Sequence, residues 1–189
     1  MSSIGPQVDE SNPWVTHSTE VAYENPWIRV EHDEVTTPGG SDGVYGVVRF
    51  KNRAVGILPI DDEDHTWLVG QYRYALNVYS WEMPAGGCPQ DESLESTARR
   101  ELVEETGLVA AVLEPALSGI HLTNSVTDET AWVYIARELT PGPPQPDDTE
   151  QLATWRLPVD DAIDMVLSGE ITDSFTVIAM LWLHASRTR

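Results

Sequence analysis

The chain has 189 residues, 41% of them apolar, which suits one globular domain with an added subdomain and a sizeable core. Its 31 acidic and 11 basic residues leave a formal net charge of −20, which disfavours nonspecific binding to nucleic acid or anionic membranes, since both need neutralising cations. No apolar run is long enough to span a membrane, the polar stretch Met1–Asn12 does not read as a signal peptide, and the lone Cys88 can form no intrachain disulfide, so a cytoplasmic location is expected.

In chain order, Trp27–Val35 alternates and is rich in β-branched residues, which predicts a strand. A turn follows at Thr37–Gly43, and Val44–Phe50 predicts the returning strand of a hairpin. Ala54–Ile60 and Thr66–Arg73 are two further strands. Between them, Asp61-Asp62-Glu63-Asp64 reads as an exposed turn in preference to a metal site. Ser93–Thr106 is the clearest helix: Asp91 or Ser93 caps its start, Gly107 suits a left-handed stop, and Leu94, Ala98 and Leu102 form a buried stripe. Two β-segments, Val109–Leu117 and Thr130–Ala136, precede a loop at Pro141–Asp148. Helices are expected at Asp160–Leu167 and Ser174–Ser186, the second capped by Asp173 or Ser174. Strands first, then strands and helices interleaved, predict an α+β fold, a mixed α/β/α sandwich.

The chemistry concentrates on the first helix. Glu101 and Glu105 lie one turn apart with Glu104 beside both, and at 3.6 residues per turn the three carboxylates fall within an arc of ~100°. Glu101 and Glu105 border the apolar stripe and should lean toward the sheet. Carboxylates this close repel one another, and a hard divalent cation with oxygen ligands removes the repulsion, which favours Mg²⁺ or Mn²⁺. Arg100 and Glu92 carry opposite charges and can clamp the preceding loop onto the helix. The helix taken alone is equally an ordinary amphipathic helix with a charged face.

The full spacing is more specific. Gly86, five residues, Glu92, seven residues, Arg100, Glu101, Leu102, one residue, Glu104, Glu105, one residue, Gly107 and Leu108 resembles the complete signature of the Nudix hydrolase family at all nine restricted positions. The resemblance implies a loop–helix–loop that binds Mg²⁺ or Mn²⁺ and hydrolyses a nucleoside diphosphate linked to another group. It implies that Glu101 and Glu105 are the principal metal ligands and that Glu104 is a further ligand or orients water. It makes the Ala85 carbonyl a backbone ligand and leaves Gly86, Glu92, Arg100 and Gly107 structural. Cys88 stands at a variable position and is read as a bystander.

Upstream, Gly70-Gln71-Tyr72-Arg73 and Trp81-Glu82-Met83-Pro84-Ala85-Gly86-Gly87 resemble the ADP-ribose pyrophosphatase and nucleoside diphosphate sugar hydrolase branch. That branch carries an extra N-terminal sheet used in a homodimer, which matches the hairpin and implies a division into residues 1–53, for dimerisation and part of the substrate site, and 54–189, the hydrolase domain. Arg73 is then expected on the diphosphate, with Glu82 holding it or a ribose hydroxyl, and Trp27 is a candidate to stack on the base. The loop Leu122–Glu129 is where the family often places a catalytic or metal-binding glutamate. Glu129 matches it, with Asp128 as the alternative. Many ADP-ribose hydrolases carry Ser-Pro-Gly here, whereas this chain has Thr123–Thr127, closer to the broader sugar-nucleotide hydrolases. His121 precedes the loop and is read as packed or solvated. The other readings are a non-catalytic sensor of ADP-ribose or nucleotide sugars, and a Nudix hydrolase of another nucleoside diphosphate derivative. The complete glutamate set disfavours the sensor.

Overall fold

The computed structural model describes residues 9–143 and 151–188, which form ten strands and three helices. These residues divide into two compact units, one made of residues 9–50 with 125–128 and the other of the remainder.

The first unit is an antiparallel sheet in the order β1-β2-β3: β1 (Val15–Glu24), β2 (Ile28–Thr36) and β3 (Asp42–Phe50). The β2–β3 hairpin runs in unbroken register from Ile28 opposite Phe50 to Thr36 opposite Asp42. The reversal needs Gly40, whose φ of 84° is left-handed. The separate segment 125–128 adds to β3: the Val48 N–H donates to the Val126 carbonyl at 2.9 Å, and the Phe50 N–H donates to Asp128 Oδ1 at 2.9 Å. Alternation along β2 buries Glu31, Asp33 and Val35 on one face. Glu31 is paired by both Arg29 and Arg49.

The second unit contains β4 (Arg53–Pro59), β5 (His65–Arg73), β6 (Val78–Glu82), β7 (Ala85–Cys88), α1 (Leu94–Thr106), β8 (Leu108–His121), β9 (Thr130–Pro141), β10 (Ala153–Pro158), α2 (Val159–Leu167) and α3 (Ser174–Arg187). Two sheets form, β7-β4-β9-β8 and β10-β5-β6. The first is mixed, because β4 runs parallel to β9 and antiparallel to β7. Period-two alternation gives it two apolar faces. Val55, Ile57 and Ala136 pack with Ala98 and Leu102 of α1, whereas Leu58, Val133 and Ile135 pack with Ile163, Phe175 and Met180 of α2 and α3. Helices therefore cover both faces, as expected of the α/β/α sandwich.

Four strands, β1, β6, β7 and β10, were not anticipated from the sequence. All ten residues of β1 are exposed, so it carries no burial period to read. Pro84-Ala85-Gly86 resembles a turn, yet Ala85–Cys88 continues as β7, pairing with Arg53–Gly56. β8 and β9 outrun their predicted ends, and β9 takes in Pro141. Asp61-Asp62-Glu63-Asp64 is a turn as expected: Asp61 Oδ1 accepts from the Glu63 and His65 N–H groups, and Asp64 has a φ of 60°. Of the predicted polar tail and the Pro141–Asp148 loop, residues 1–8 and 144–148 lie outside the described residues.

Candidate active site on helix α1 and strand β7

Helix α1 is held at both ends. Ser93 Oγ accepts from the Ser96 N–H at 3.1 Å, and Gly107 closes the other end with a φ of 73° and a bond to the Val103 carbonyl. Its buried stripe seats it beside β7, and that packing aims the glutamates. Glu105 is 3% exposed, and its Oε2 accepts the Ala85 N–H at 3.0 Å. Glu101 lies against Gly86, where a Cβ would stand 2.0 Å from its carboxyl. Gly86 is therefore required by close approach, not by backbone conformation. The expected lean of Glu101 and Glu105 toward the sheet is what the helix presents.

Arg100 does more than the sequence suggested. It bonds Glu92 at 3.2 Å and the Gly87 carbonyl at 3.4 Å, which clamps the loop to the helix as expected. Its Nη1 also donates to Glu101 and Glu104, at 2.8 Å each. Burial pulls the Arg100 pKa down, but the bonds to these carboxylates outweigh it and raise it further above its ordinary value. Glu92 is correspondingly held below its ordinary value, chiefly by the Arg100 bond. The i,i+4 spacing of Arg100 and Glu104 was the legible signal for this grip.

The carboxylates do not converge on one point here. Among the described residues, the trio of acidic and histidine ligand atoms lying within 4.8 Å of one another is Asp61, Glu63 and His65, not the helix glutamates. The reason is local: Arg100 sits between Glu101 and Glu104, and Glu105 turns to the Ala85 N–H. The Asp61 and Glu63 carboxylates are themselves bridged by Arg156, at 2.6 Å each. The helix site nevertheless fits a hard divalent ion. Its donors are all oxygens, and the missing Gly86 side chain leaves the Glu101 carboxyl room against the strand.

Beside this site, Arg73 of β5 faces Glu82 of β6. Arg73 Nε donates to Glu82 Oε1 at 2.9 Å and Nη2 to Oε2, a fork-to-fork pair on a carboxylate that is 5% exposed. The Glu82 bond raises the Arg73 pKa, and the charges of Asp173 and Glu105 add to it. Arg73, Ser80, Glu82, Thr172 and Asp173 line a cleft of about 360 Å³ with the Tyr74–Leu76 turn. Asp173, not Ser174, caps α3: its Oδ2 accepts from the Thr176 N–H and Oγ1, and Thr176 Oγ1 accepts the Met83 N–H at 3.0 Å. This chain of bonds ties α3 to the segment after Glu82, a link that sequence reasoning missed.

Other expected residues stand elsewhere. Glu129 directly precedes β9 and is half-buried in the second unit. Asp128 belongs to the first unit, where it receives the Phe50 N–H and faces Arg49 at 3.5 Å, which gives it a structural occupation. Trp27 belongs to the first unit and is 68% exposed, with the Asn25 side chain accepting its backbone N–H at 2.8 Å. His121 is exposed at the end of β8, opposite Thr130. Cys88 is buried in the α1 core, in keeping with a bystander.

Comparison with known proteins agrees with this geometry. Residues 50–175 match the NUDIX domain, and residues 14–48 match the nucleoside diphosphate sugar hydrolase N-terminal domain. The chain is 32% identical over 177 residues to the ADP-ribose pyrophosphatase of Mycobacterium tuberculosis, covering 92% of this chain and 84% of that one. It is 30% identical over 193 residues to the ADP-sugar pyrophosphatase of Mus musculus, covering 93% and 88%. A crystal structure of an ADP compounds hydrolase superposes with a TM-score of 0.83 at 23% identity, over 94% of this chain and 96% of that one, which shows the shared fold. No helix among the described residues is long and apolar enough to cross a membrane. With the NUDIX match spanning most of its length and seating its signature on α1 and β7, the chain belongs to the Nudix hydrolase family.

Proposed function

We propose that this chain hydrolyses ADP-ribose or a related nucleoside diphosphate sugar to a nucleoside monophosphate and a sugar phosphate. The observation that carries this reading is the seating of Glu101 and Glu105 on the Gly86 and Ala85 backbone. The names of the tuberculosis and mouse relatives, an ADP-ribose and an ADP-sugar pyrophosphatase, support the substrate class.

Glu101, Glu104, Glu105 and the Ala85 carbonyl would hold Mg²⁺ or Mn²⁺. Bound there, the cation supplies charge neutralisation for the diphosphate and lowers the pKa of water. Arg73, aligned by Glu82, binds diphosphate oxygens through donors the fork leaves free. Glu129, or a helix carboxylate from Glu104 or Glu105, takes the proton of the attacking water as its oxygen bonds to one phosphorus and the bridging P–O bond breaks. Trp27 presents an exposed indole suited to stacking on a base.

The same reading assigns residues 1–53 to dimerisation and part of the substrate site, and 54–189 to catalysis. The ten exposed residues of β1 support a homodimer through the N-terminal sheet, because an open edge strand of that length invites pairing. The lone, buried Cys88 supports a cytoplasmic location.

The test is a panel of ADP-ribose, ADP-glucose, UDP-glucose and GDP-mannose under Mg²⁺ and then Mn²⁺, with products resolved by chromatography. Nucleoside monophosphate and sugar phosphate in equal amounts are expected from at least one of them. No turnover of any member overturns the substrate class.

A further inference from the structure

The first unit holds a cleft lined only by its own residues. It is an open cleft of about 220 Å³ lined by Asn12, Trp14, Thr16, Asp33, Val35 and Tyr45. At ~30 Å³ per water, that is room for about seven waters, or for one small polar group with its alkyl stem.

Two features define what it would accept. Asp33 is 8% exposed, and its Oδ1 has no hydrogen-bond partner among the described residues. An ionised carboxylate left in that state is costly, and the normal remedy is a charged donor. The two arginines of the β2–β3 hairpin are already paired: Arg29 and Arg49 both bond Glu31, two residues from Asp33 on the same face of β2. In the sheet register Asp33 stands between Thr19 of β1 and Tyr45 of β3, and neither brings a positive charge.

The second feature is the aromatic wall. Trp14 meets Tyr45 edge-on, with centroids 5.2 Å apart and planes at 88°. The Tyr45 hydroxyl donates to the Ser125 carbonyl at 2.6 Å, which anchors that ring, and the Asn12 carboxamide accepts the Trp14 backbone N–H at 3.0 Å, which fixes the main chain that carries the indole. Ring faces beside a buried carboxylate favour a cation with an apolar stem. The net charge of −20 attracts such a group over a longer range.

We propose that this cleft binds an alkylammonium or guanidinium group, with Asp33 as its counter-ion and Trp14 and Tyr45 as its walls. The group comes from a free small molecule or from a lysine or arginine side chain of a second copy of this chain.

Calorimetric titration of the full chain with putrescine and with agmatine, against uncharged 1,4-butanediol, tests the first source. Saturable binding of a cation and none of the diol is expected. Asp33→Asn, which keeps the side-chain shape, should weaken that binding at least tenfold. Glu34→Gln makes the same charge change on the exposed adjacent residue and should leave binding within twofold. Sedimentation velocity tests the second source: Asp33→Asn should lower the fraction of self-associated chain, and Glu34→Gln should not. The proposal is overturned if Asp33→Asn changes neither measurement, or if Glu34→Gln changes them equally, which would reduce the effect to general charge.

Discussion

The Ala85 N–H donates to the Glu105 carboxylate at 3.0 Å, joining a residue of β7 to one twenty positions later on α1. The bond fixes a nearly buried glutamate against the strand backbone. It makes the strand–helix seam, and not the helix alone, the unit that presents carboxylates.

Glu105→Gln should separate fold from function. The amide oxygen can still accept from Ala85, so the melting temperature should move by only a few degrees. Turnover should fall by more than roughly a hundredfold, beyond the ~10–100-fold typical of a residue that only orients a ligand. Steady-state rates under Mg²⁺ and Mn²⁺ beside a thermal melt decide it, and near wild-type turnover removes Glu105 from the metal set.

Gly86→Ala should be damaging even though alanine tolerates the backbone. The added methyl would stand 2.0 Å from the Glu101 carboxyl, so the carboxyl must leave its place. Overpacking of this kind costs about 1–3 kcal/mol. The expected result is a lower melting temperature together with weaker Mn²⁺ binding by calorimetry. Unchanged Mn²⁺ affinity would mean that Glu101 does not ligate from this position.

Arg73→Lys keeps the charge but loses the fork that matches Glu82. KM should rise about tenfold or more while the fold persists. A double-mutant cycle of Arg73→Ala with Glu82→Ala, read on thermal stability, should give a coupling of roughly 1–3 kcal/mol. Simple addition of the two effects would show that the pair is not formed in solution.

Stability should fall on the acid side. The Glu92 and Glu31 carboxyls are held below their ordinary value of 4.5, Glu92 chiefly by Arg100 and Glu31 chiefly by Arg49. A carboxyl whose pKa is depressed on folding adds stability above its unfolded value and loses it as pH falls through the folded one. Melting temperature should therefore change little with these groups above about pH 5 and decline below about 4.5. Glu92→Gln should lower it at pH 7 and flatten the decline, and an unchanged acid limb would show that Glu92 does not contribute.

Glu129→Gln should reduce kcat more than Asp128→Asn does. Asp128 is occupied by the Phe50 N–H and Arg49 in the first unit, and Glu129 directly precedes β9 in the second. Equal losses, or a larger one from Asp128→Asn, would reverse the assignment.

The sequence by itself determined the elements whose cause is local or periodic. The α1 stripe, its Gly107 stop, the β2–β3 hairpin and the Asp61 turn are set by neighbours in the chain, so their residues carry the signal. Nine spaced positions from Gly86 to Leu108 were enough to mark the family. Tertiary structure alone decided what depends on distant pairing. β1 and β10 are strands because partners bond them, with no burial period of their own to betray them. The return of residues 125–128 to the first unit gave Asp128 a structural occupation and left Glu129 on the other side of the division. Arg100 reaches three carboxylates because the helix packs β7 and its loop within range, and Arg29 and Arg49 both turn to Glu31 while Asp33 Oδ1 has no hydrogen-bond partner among the described residues. Side chains with several reachable partners choose among them by geometry, and that choice exists only once the chain has folded.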